Sequence, residues 1–209
     1  MKTQTLKVPN KLNELTLGQY QKFNKVMESD SDSDFIQRKT IEIFCGVDMA
    51  EVGNYKYSSI RQVVAVINKM FEEKPRLIDR FNYNGKQYGF IPKLDDMSFG
   101  EFVDLDLLMG DWDTMDGAMA ILFREVKDSS NGKYTIQPYN SDKQVNLKNM
   151  PLDVALGALF FLENLNEELI NHIKTYLYQN KENQTPAQRE ALTKILDGTQ
   201  PFTQLVGQI

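Results

Sequence analysis

The sequence predicts an α+β protein that is mainly helical. Apolar residues recur at helical spacing through most of the chain, most clearly over residues 58–73 and 152–177. Residues 80–92 differ, because aromatic side chains flank Asn84-Gly85, the dipeptide typical of a tight β-hairpin. With 209 residues and an apolar fraction of 41%, the chain is able to bury a core without disulfides or metal.

Capping residues and apolar stripes together place the helices. Thr16 is a plausible N-cap for the first of them, and Ser98 with Glu101 predicts a capping box at the start of another. Gly46 is a natural helix stop, and Pro186 suits a first helical turn. The predicted helices cover about residues 17–28, 35–45, 58–73, 98 onward, 114–126, 152–177 and 186–196.

The β-structure is predicted to centre on the hairpin at residues 80–92. A lone hairpin is marginal in water, so it needs a helix or another strand to pack against. The N-terminal residues 3–8 alternate polar and apolar side chains and are the predicted partner strand. Residues 129–132 are predicted as a loop, and residues 133–139 as a short strand.

We expect one mainly helical domain over residues 1–179, followed by a short helix and an apolar tail over residues 180–209. The tail carries Phe202, Leu205, Val206 and Ile209 without helical spacing. Such a segment either packs back on its own domain or docks on a neighbouring subunit, and both alternatives stay open.

Residue types that carry catalysis are scarce. His172 is the only histidine and Cys45 the only cysteine, so neither a nucleophile–base pair nor a zinc site is indicated. Cys45 is expected to be a small buried apolar residue, and His172 a helix-surface or interface residue. No glycine-rich phosphate loop occurs. We therefore expect a protein that is not an enzyme and needs no cofactor or metal.

The net charge of −5 disfavours general nucleic-acid binding, because an acidic chain repels the phosphate backbone. The N-terminus lacks the apolar core of a secretion signal, and the longest apolar run, residues 156–162, is far too short to cross a bilayer. The expectation is a protein made in the cytoplasm without a membrane partner.

Residues 95–116 contain eight acidic residues and no Lys or Arg. Among them Asp104, Asp106 and Asp111 are candidate partner-binding residues. Three interpretations are open: a solvated acidic face, a docking surface for a basic partner, or a metal or catalytic site. The spacing of a calcium-binding loop is absent from this stretch.

Several segments together are similar to a family of small proteins encoded beside the structural genes of crAss-like phages and related podoviruses. They are GFIPKLDDMSFGEFVDLD (residues 89–106), GDWDTMDGAMAILFREV (110–126), MPLDVALGALFFLENL (150–165) and VPNKLNELTLGQYQKF (8–23). IEIFCGV and INKMFEEKP fit the same pattern, which covers most of residues 8–178. It brings no active-site motif, so no site residues are transferred.

The resemblance implies a non-enzymatic bacteriophage virion protein that is internal, tail-associated or packaged as cargo. Its partners would be other virion proteins such as portal, tail or neck components, or further copies of itself in a homo-oligomer or symmetric ring. The alternative is a non-virion tail-assembly chaperone that holds tail or neck proteins during morphogenesis. Both place the protein in the host bacterial cytoplasm at synthesis, and the first places it in the virion.

Overall fold

Helices and one sheet alternate along the chain in the computed structural model, which describes residues 6–29, 31–143, 145–179 and 185–198 (side chains to 194). The helices are α1 (Leu17–Met27), α2 (Ser33–Cys45), α3 (Met49–Val52), α4 (Tyr57–Phe71), α5 (Phe99–Leu108), α6 (Met115–Leu122), α7 (Leu152–Gln179) and α8 (Pro186–Gly198). The strands are β1 (Arg80–Tyr83), β2 (Lys86–Phe90), β3 (Phe123–Ser130) and β4 (Lys133–Ile136). The predicted α+β, mainly helical class is confirmed.

Local capping explains most helix boundaries. At α1 the Thr16 hydroxyl accepts the Gln19 N–H, and the Gln19 side chain accepts the Thr16 N–H, which completes a capping box. At the end of α2, Gly46 adopts the left-handed conformation with φ 68°. These two signals are visible in the sequence, and the corresponding predictions are confirmed to within a few residues.

The sheet has four antiparallel strands in the order β1-β2-β3-β4. Both outer connections are two-residue turns with positive φ, at Asn84-Gly85 (50° and 76°) and at Asn131-Gly132 (51° and 78°). The predicted hairpin is therefore confirmed, and the strand predicted over residues 133–139 is confirmed over Lys133–Ile136. The loop predicted over residues 129–132 is shorter than expected, because Ser129 and Ser130 pair with β4 and only Asn131 and Gly132 form the turn. Each turn matches the twist of its flanking strands. The middle connection, from β2 to β3, is long and contains α5 and α6.

The prediction of one hairpin joined by an N-terminal strand is wrong. The hairpin's partner is β3, with Phe90 opposite Phe123 and Tyr88 opposite Glu125. The helix predicted over residues 114–126 ends at Leu122, and the chain passes directly into β3. Residues 6–8 belong to no strand, and residues 3–5 lie outside the described residues. From Phe123 onward, the backbone N–H and C=O groups form hydrogen bonds with β2 instead of the internal hydrogen bonds of a longer helix.

The core lies between the sheet, α1, α6 and the first half of α7. Residues 154–160 are all buried, including Gly157, where an added Cβ would meet the carbonyl oxygen of Arg76. With 28 residues α7 is about 42 Å long at 1.5 Å per residue. Its second half is mostly exposed and contacts α8, whose predicted start at Pro186 is confirmed.

One aromatic ring crosses the face of the sheet. Tyr134 of β4 lies over Gly89 of β2, where a Cβ would collide with the ring. The Tyr134 hydroxyl donates to the carbonyl oxygen of Phe90 (2.7 Å), and the Arg80 guanidinium lies 5.2 Å from the ring centroid. Gly89 is thus the position that lets β4 fold back across β3 towards β2.

Candidate functional site

The candidate site is built on α5, the helix inside the acidic stretch. The Ser98 hydroxyl accepts the Glu101 N–H, and the Glu101 carboxylate accepts the Ser98 N–H at 2.7 Å. The predicted capping box is therefore confirmed. It fixes the residue at which the helix begins, and hence which side chains face the domain and which face solvent.

The inner face of α5 is anchored by polar contacts as well as by packing. Glu101 forms an ion pair with Arg124 of β3, and the two side chains are only 7% and 14% exposed. One turn further on, the Tyr139 hydroxyl donates to Asp104 Oδ2. Leu105 and Leu108, which follow these two residues, pack against the core. The helix is therefore held by two polar anchors and, next to them, an apolar contact.

The Glu101 carboxylate is kept ionised by its partners. Burial by itself would raise the pKa of Glu101, but the hydrogen bonds from Ser98 and the Arg124 guanidinium outweigh burial and lower that pKa below its ordinary value. The anchor is therefore a charged pair at neutral pH.

The outer face of α5 exposes four apolar side chains. Phe99 is 83% exposed, Leu107 74%, Phe102 58% and Val103 37%. At about 100° per residue they fall within an arc of about 140°, so they form one continuous face. Asp106, also exposed, lies within the same arc between Phe102 and Phe99. We call these five side chains the α5 outer face. A cluster of large exposed apolar side chains on one helix is typical of a protein-interaction surface.

The remaining acidic residues of the stretch mostly serve the fold. Asp111 accepts the Asp113 N–H at 2.8 Å and caps the short turn Trp112–Thr114. Asp113 pairs with Lys25 of α1 at 2.8 Å. Asp116 accepts a hydrogen bond of 3.0 Å from Gln21, whose amide also donates to the Trp112 carbonyl oxygen. This end of the stretch therefore joins α1 to α6.

The three aspartates proposed from the sequence thus lie in different settings. Asp104 points inward and is half-buried against Tyr139, whereas Asp106 faces outward among apolar side chains. Asp111 is exposed, with one carboxylate oxygen engaged in the cap. Only Asp106 belongs to the α5 outer face. The other four proposed contact residues, Phe202, Leu205, Val206 and Ile209, lie outside the described residues.

The two residues considered for chemistry have ordinary surroundings. His172 is exposed on α7, with Nδ1 2.8 Å from the Glu168 carbonyl oxygen. Cys45 is half-buried beside the core, and burial raises the pKa of its thiol to about 11, which keeps it protonated at neutral pH. Within the described residues, no group of three or more His, Cys, Asp or Glu side chains is arranged to hold a metal ion.

A second exposed apolar stripe runs along the outer half of α7. Leu165, Leu169 and Tyr176 are each about half exposed and fall, with His172, on one side of the helix. The stripe is narrower than the α5 outer face and lies among charged neighbours such as Glu168. It offers a smaller additional contact surface.

A cavity of about 440 Å³ lies between the sheet and the loop after β4, in the size range of small-molecule sites. Two of its charged lining groups are already engaged, because Arg124 pairs with Glu101 and Glu125 pairs with Lys86 at 2.7 Å. Tyr139, which also lines it, holds Asp104. The cavity wall is therefore part of the support of α5.

Sequence reasoning identified the acidity of this region and missed its apolar surface. Residues 99–108 carry apolar side chains on every side of the helix, so no single stripe distinguishes a buried face from an exposed one. The sequence did carry a signal for this surface, namely the large number of apolar residues in the helix. A helix that is apolar on every side is expected to be covered on every side, by its own domain or by a partner.

Comparison with known proteins finds no matching family model, no matching curated protein and no matching solved structure. In the described part of the chain, no helix combines the length and apolarity needed to span a bilayer.

Proposed function

We propose that this protein is a non-enzymatic binding protein whose principal contact surface is the α5 outer face. The observation that carries the proposal is the exposure of Phe99, Phe102, Val103 and Leu107 on one side of a helix that is anchored on its other side. Covering a large apolar side chain contributes about 1.5–3 kcal/mol. A partner that covered the face would therefore gain several kcal/mol before the cost of association.

The setting that we propose is the particle of a tailed bacteriophage, with portal, tail or neck components as partners. The support is the resemblance of several sequence segments, which cover most of residues 8–178, to small proteins encoded beside phage structural genes. In this function the helical body and sheet act as a rigid support that presents α5. An exposed apolar surface also suits the alternative, a non-virion tail-assembly chaperone, because such a protein must cover apolar surfaces of unassembled tail or neck proteins.

Mass spectrometry of purified particles and of infected-cell lysate, from the phage that encodes the protein, separates the two functions. A virion component is found in the particles at a fixed ratio to the portal protein. A chaperone is abundant in the lysate and absent from the particles, and that result would overturn the virion function.

Substitutions on α5 test whether the outer face makes the contact. We expect Phe99→Ser and Leu107→Ser to reduce incorporation into particles, or partner binding in the lysate, by tenfold or more, on the order of a hot-spot loss. Met27→Ser is the matched control, because Met27 is 50% exposed on α1, away from this face. All three variants should keep the wild-type free energy of unfolding within about 0.5 kcal/mol. Normal incorporation of both α5 variants would refute the proposed surface.

The C-terminal tail is a second proposed contact. Its four apolar residues, at 202, 205, 206 and 209, follow α8 and include no charged neighbour. Truncation after Leu196 is expected to leave a folded protein that no longer enters particles. Incorporation of the truncated protein at the wild-type level would exclude a role for the tail.

A further inference from the structure

Asp106 is the one charged side chain within the α5 outer face, and it has no partner among the described residues. The carboxylates on the inner side are engaged, Glu101 with Arg124 and Asp104 with Tyr139. The nearest basic residue before the helix in sequence, Lys93, pairs with Asp96, with its Nζ 3.9 Å from Asp96 Oδ2. Within the part of the chain that the structure describes, the charge of Asp106 is therefore compensated only by solvent.

Covering the face would remove much of that water. An ionised carboxylate that loses its water without gaining a counter-charge is strongly unfavourable, whereas a paired and hydrogen-bonded carboxylate is tolerated. An occupant that buries both Phe102 and Leu107 must pass over Asp106, because Asp106 lies between them both around the helix and along its axis. The occupant must therefore supply a cation at that point.

We propose, resting on the binding function proposed above, that the occupant of the α5 outer face is a partner segment in which apolar side chains flank a Lys or Arg that pairs with Asp106. Charge complementarity selects this occupant. Three of the eight acidic residues in the stretch 95–116 are paired with a Lys or Arg from outside it. Asp95, Asp106 and Asp111 are exposed and have no ion pair among the described residues, so their field attracts a basic segment before contact.

The two other occupants that the chain itself offers lack this cation. A second copy docked through the same face, as in a two-fold dimer, would bring an identical acidic face against the first, which places like charges together in a chain that already carries a net charge of −5. The chain's own residues 199–209 contain apolar side chains but neither Lys nor Arg. Both occupants would leave Asp106 uncompensated.

The test selects binders from a displayed library of random 12-residue peptides, with the full-length protein as target. Selections run in parallel on the wild type, on Asp106→Lys and on Glu73→Lys. The last is the matched control, since Glu73 is an exposed acidic residue just beyond α4. Enriched peptides are synthesised, and their affinities are measured by fluorescence anisotropy on the wild type, these variants and Leu107→Ser.

The expected wild-type binders carry a Lys or Arg flanked by apolar residues. Their affinity should fall about tenfold or more with Asp106→Lys, as for a charge pair at an interface, and stay within about twofold with Glu73→Lys, as for a charge far from the contact. Selection on Asp106→Lys should enrich Asp or Glu at the same peptide position.

Other outcomes separate the basic occupant from the surface itself. Binders that weaken with Leu107→Ser but show no change of charge with Asp106→Lys would keep the docking surface and overturn the basic partner. Binders unaffected by Leu107→Ser, or no enrichment at all, would overturn both. A wild-type dimer in analytical ultracentrifugation that dissociates with Leu107→Ser would assign the face to a second copy instead.

Discussion

The buried ion pair between Glu101 and Arg124 offers a quantitative test of how α5 is held. Glu101→Gln keeps an oxygen that is able to accept the Ser98 N–H, but it removes the charge opposite a guanidinium that is 14% exposed. Breaking one side of a buried pair leaves an uncompensated charge, so we expect the variant to lose about 3 kcal/mol of unfolding free energy. That loss corresponds to a fall in Tm of about 6–12 °C for a domain of this size.

Two companion variants separate the charge from the cap. Ser98→Ala removes the hydroxyl that accepts the Glu101 N–H, and it should cost about 1 kcal/mol, as a lost N-cap does. Adding Arg124→Met to Glu101→Gln removes the stranded cation, so the double variant should be more stable than Glu101→Gln alone. Urea unfolding followed by the fluorescence of Trp112, the single tryptophan and a buried one, measures all of these values.

The stability difference between the wild type and Glu101→Gln should change with pH in one direction. Because the pKa of Glu101 is lowered in the folded state, its contribution is complete above the ordinary glutamate pKa of about 4.3 and is lost as the pH falls through the folded value. The stability difference between wild type and Glu101→Gln should therefore shrink below about pH 4. A Glu101→Gln variant within about 0.5 kcal/mol of the wild type at pH 7, where surface substitutions fall, would refute a stabilising role of the pair.

Three further predictions follow from local packing. Gly157→Ala should cost about 1–3 kcal/mol because its Cβ meets the Arg76 carbonyl, whereas Gly100→Ala, with open space around it, should gain about 0.5–1 kcal/mol by helix propensity; equal effects in urea unfolding would contradict the close approach. Met119→Ala, at a fully buried position, should cost about 2–5 kcal/mol in the same assay, and a cost below 1 would argue against tight packing there. Cys45 should react with iodoacetamide at mildly alkaline pH about a hundredfold more slowly in the folded protein than in the urea-unfolded protein, because burial raises the pKa of its thiol to about 11. Similar rates in the two states would show an accessible thiolate.

Helix boundaries were predictable from the sequence because their causes are local. Thr16 and Ser98 each accept an N–H three residues ahead, and Gly46 adopts the left-handed conformation directly after α2. Such contacts join residues at most four positions apart, so the helix boundaries predicted from the sequence agree with those in the structure.

The end of α6 was not predictable in this way, because residues beyond the helix decide it. The sequence of residues 120–126 is compatible with a helix or a strand. The pairing of Phe123 with Phe90, which lies far earlier in the chain, selects the strand. The second hairpin had a local signal that the sequence analysis did not use. Asn131-Gly132 is the same dipeptide as Asn84-Gly85 and adopts nearly the same φ angles.

For the candidate site, composition indicated the region and distant contacts determined the orientation. The acidic stretch was recognised, but the contacts that turn Glu101 and Asp104 inward come from Arg124 and Tyr139, far along the chain. Once those contacts fix α5, the outward direction of Asp106 and its apolar neighbours follows from helix geometry.

The crossing of Tyr134 over Gly89 has a consequence for how this sequence is able to drift. A side chain at position 89 fits only if the ring at 134 is lost, and a smaller residue at 134 would leave bare backbone that a side chain at 89 could then cover. The two positions are therefore coupled: either change alone is unfavourable, and the paired change is tolerated. Divergent versions of this fold should differ at both positions or at neither.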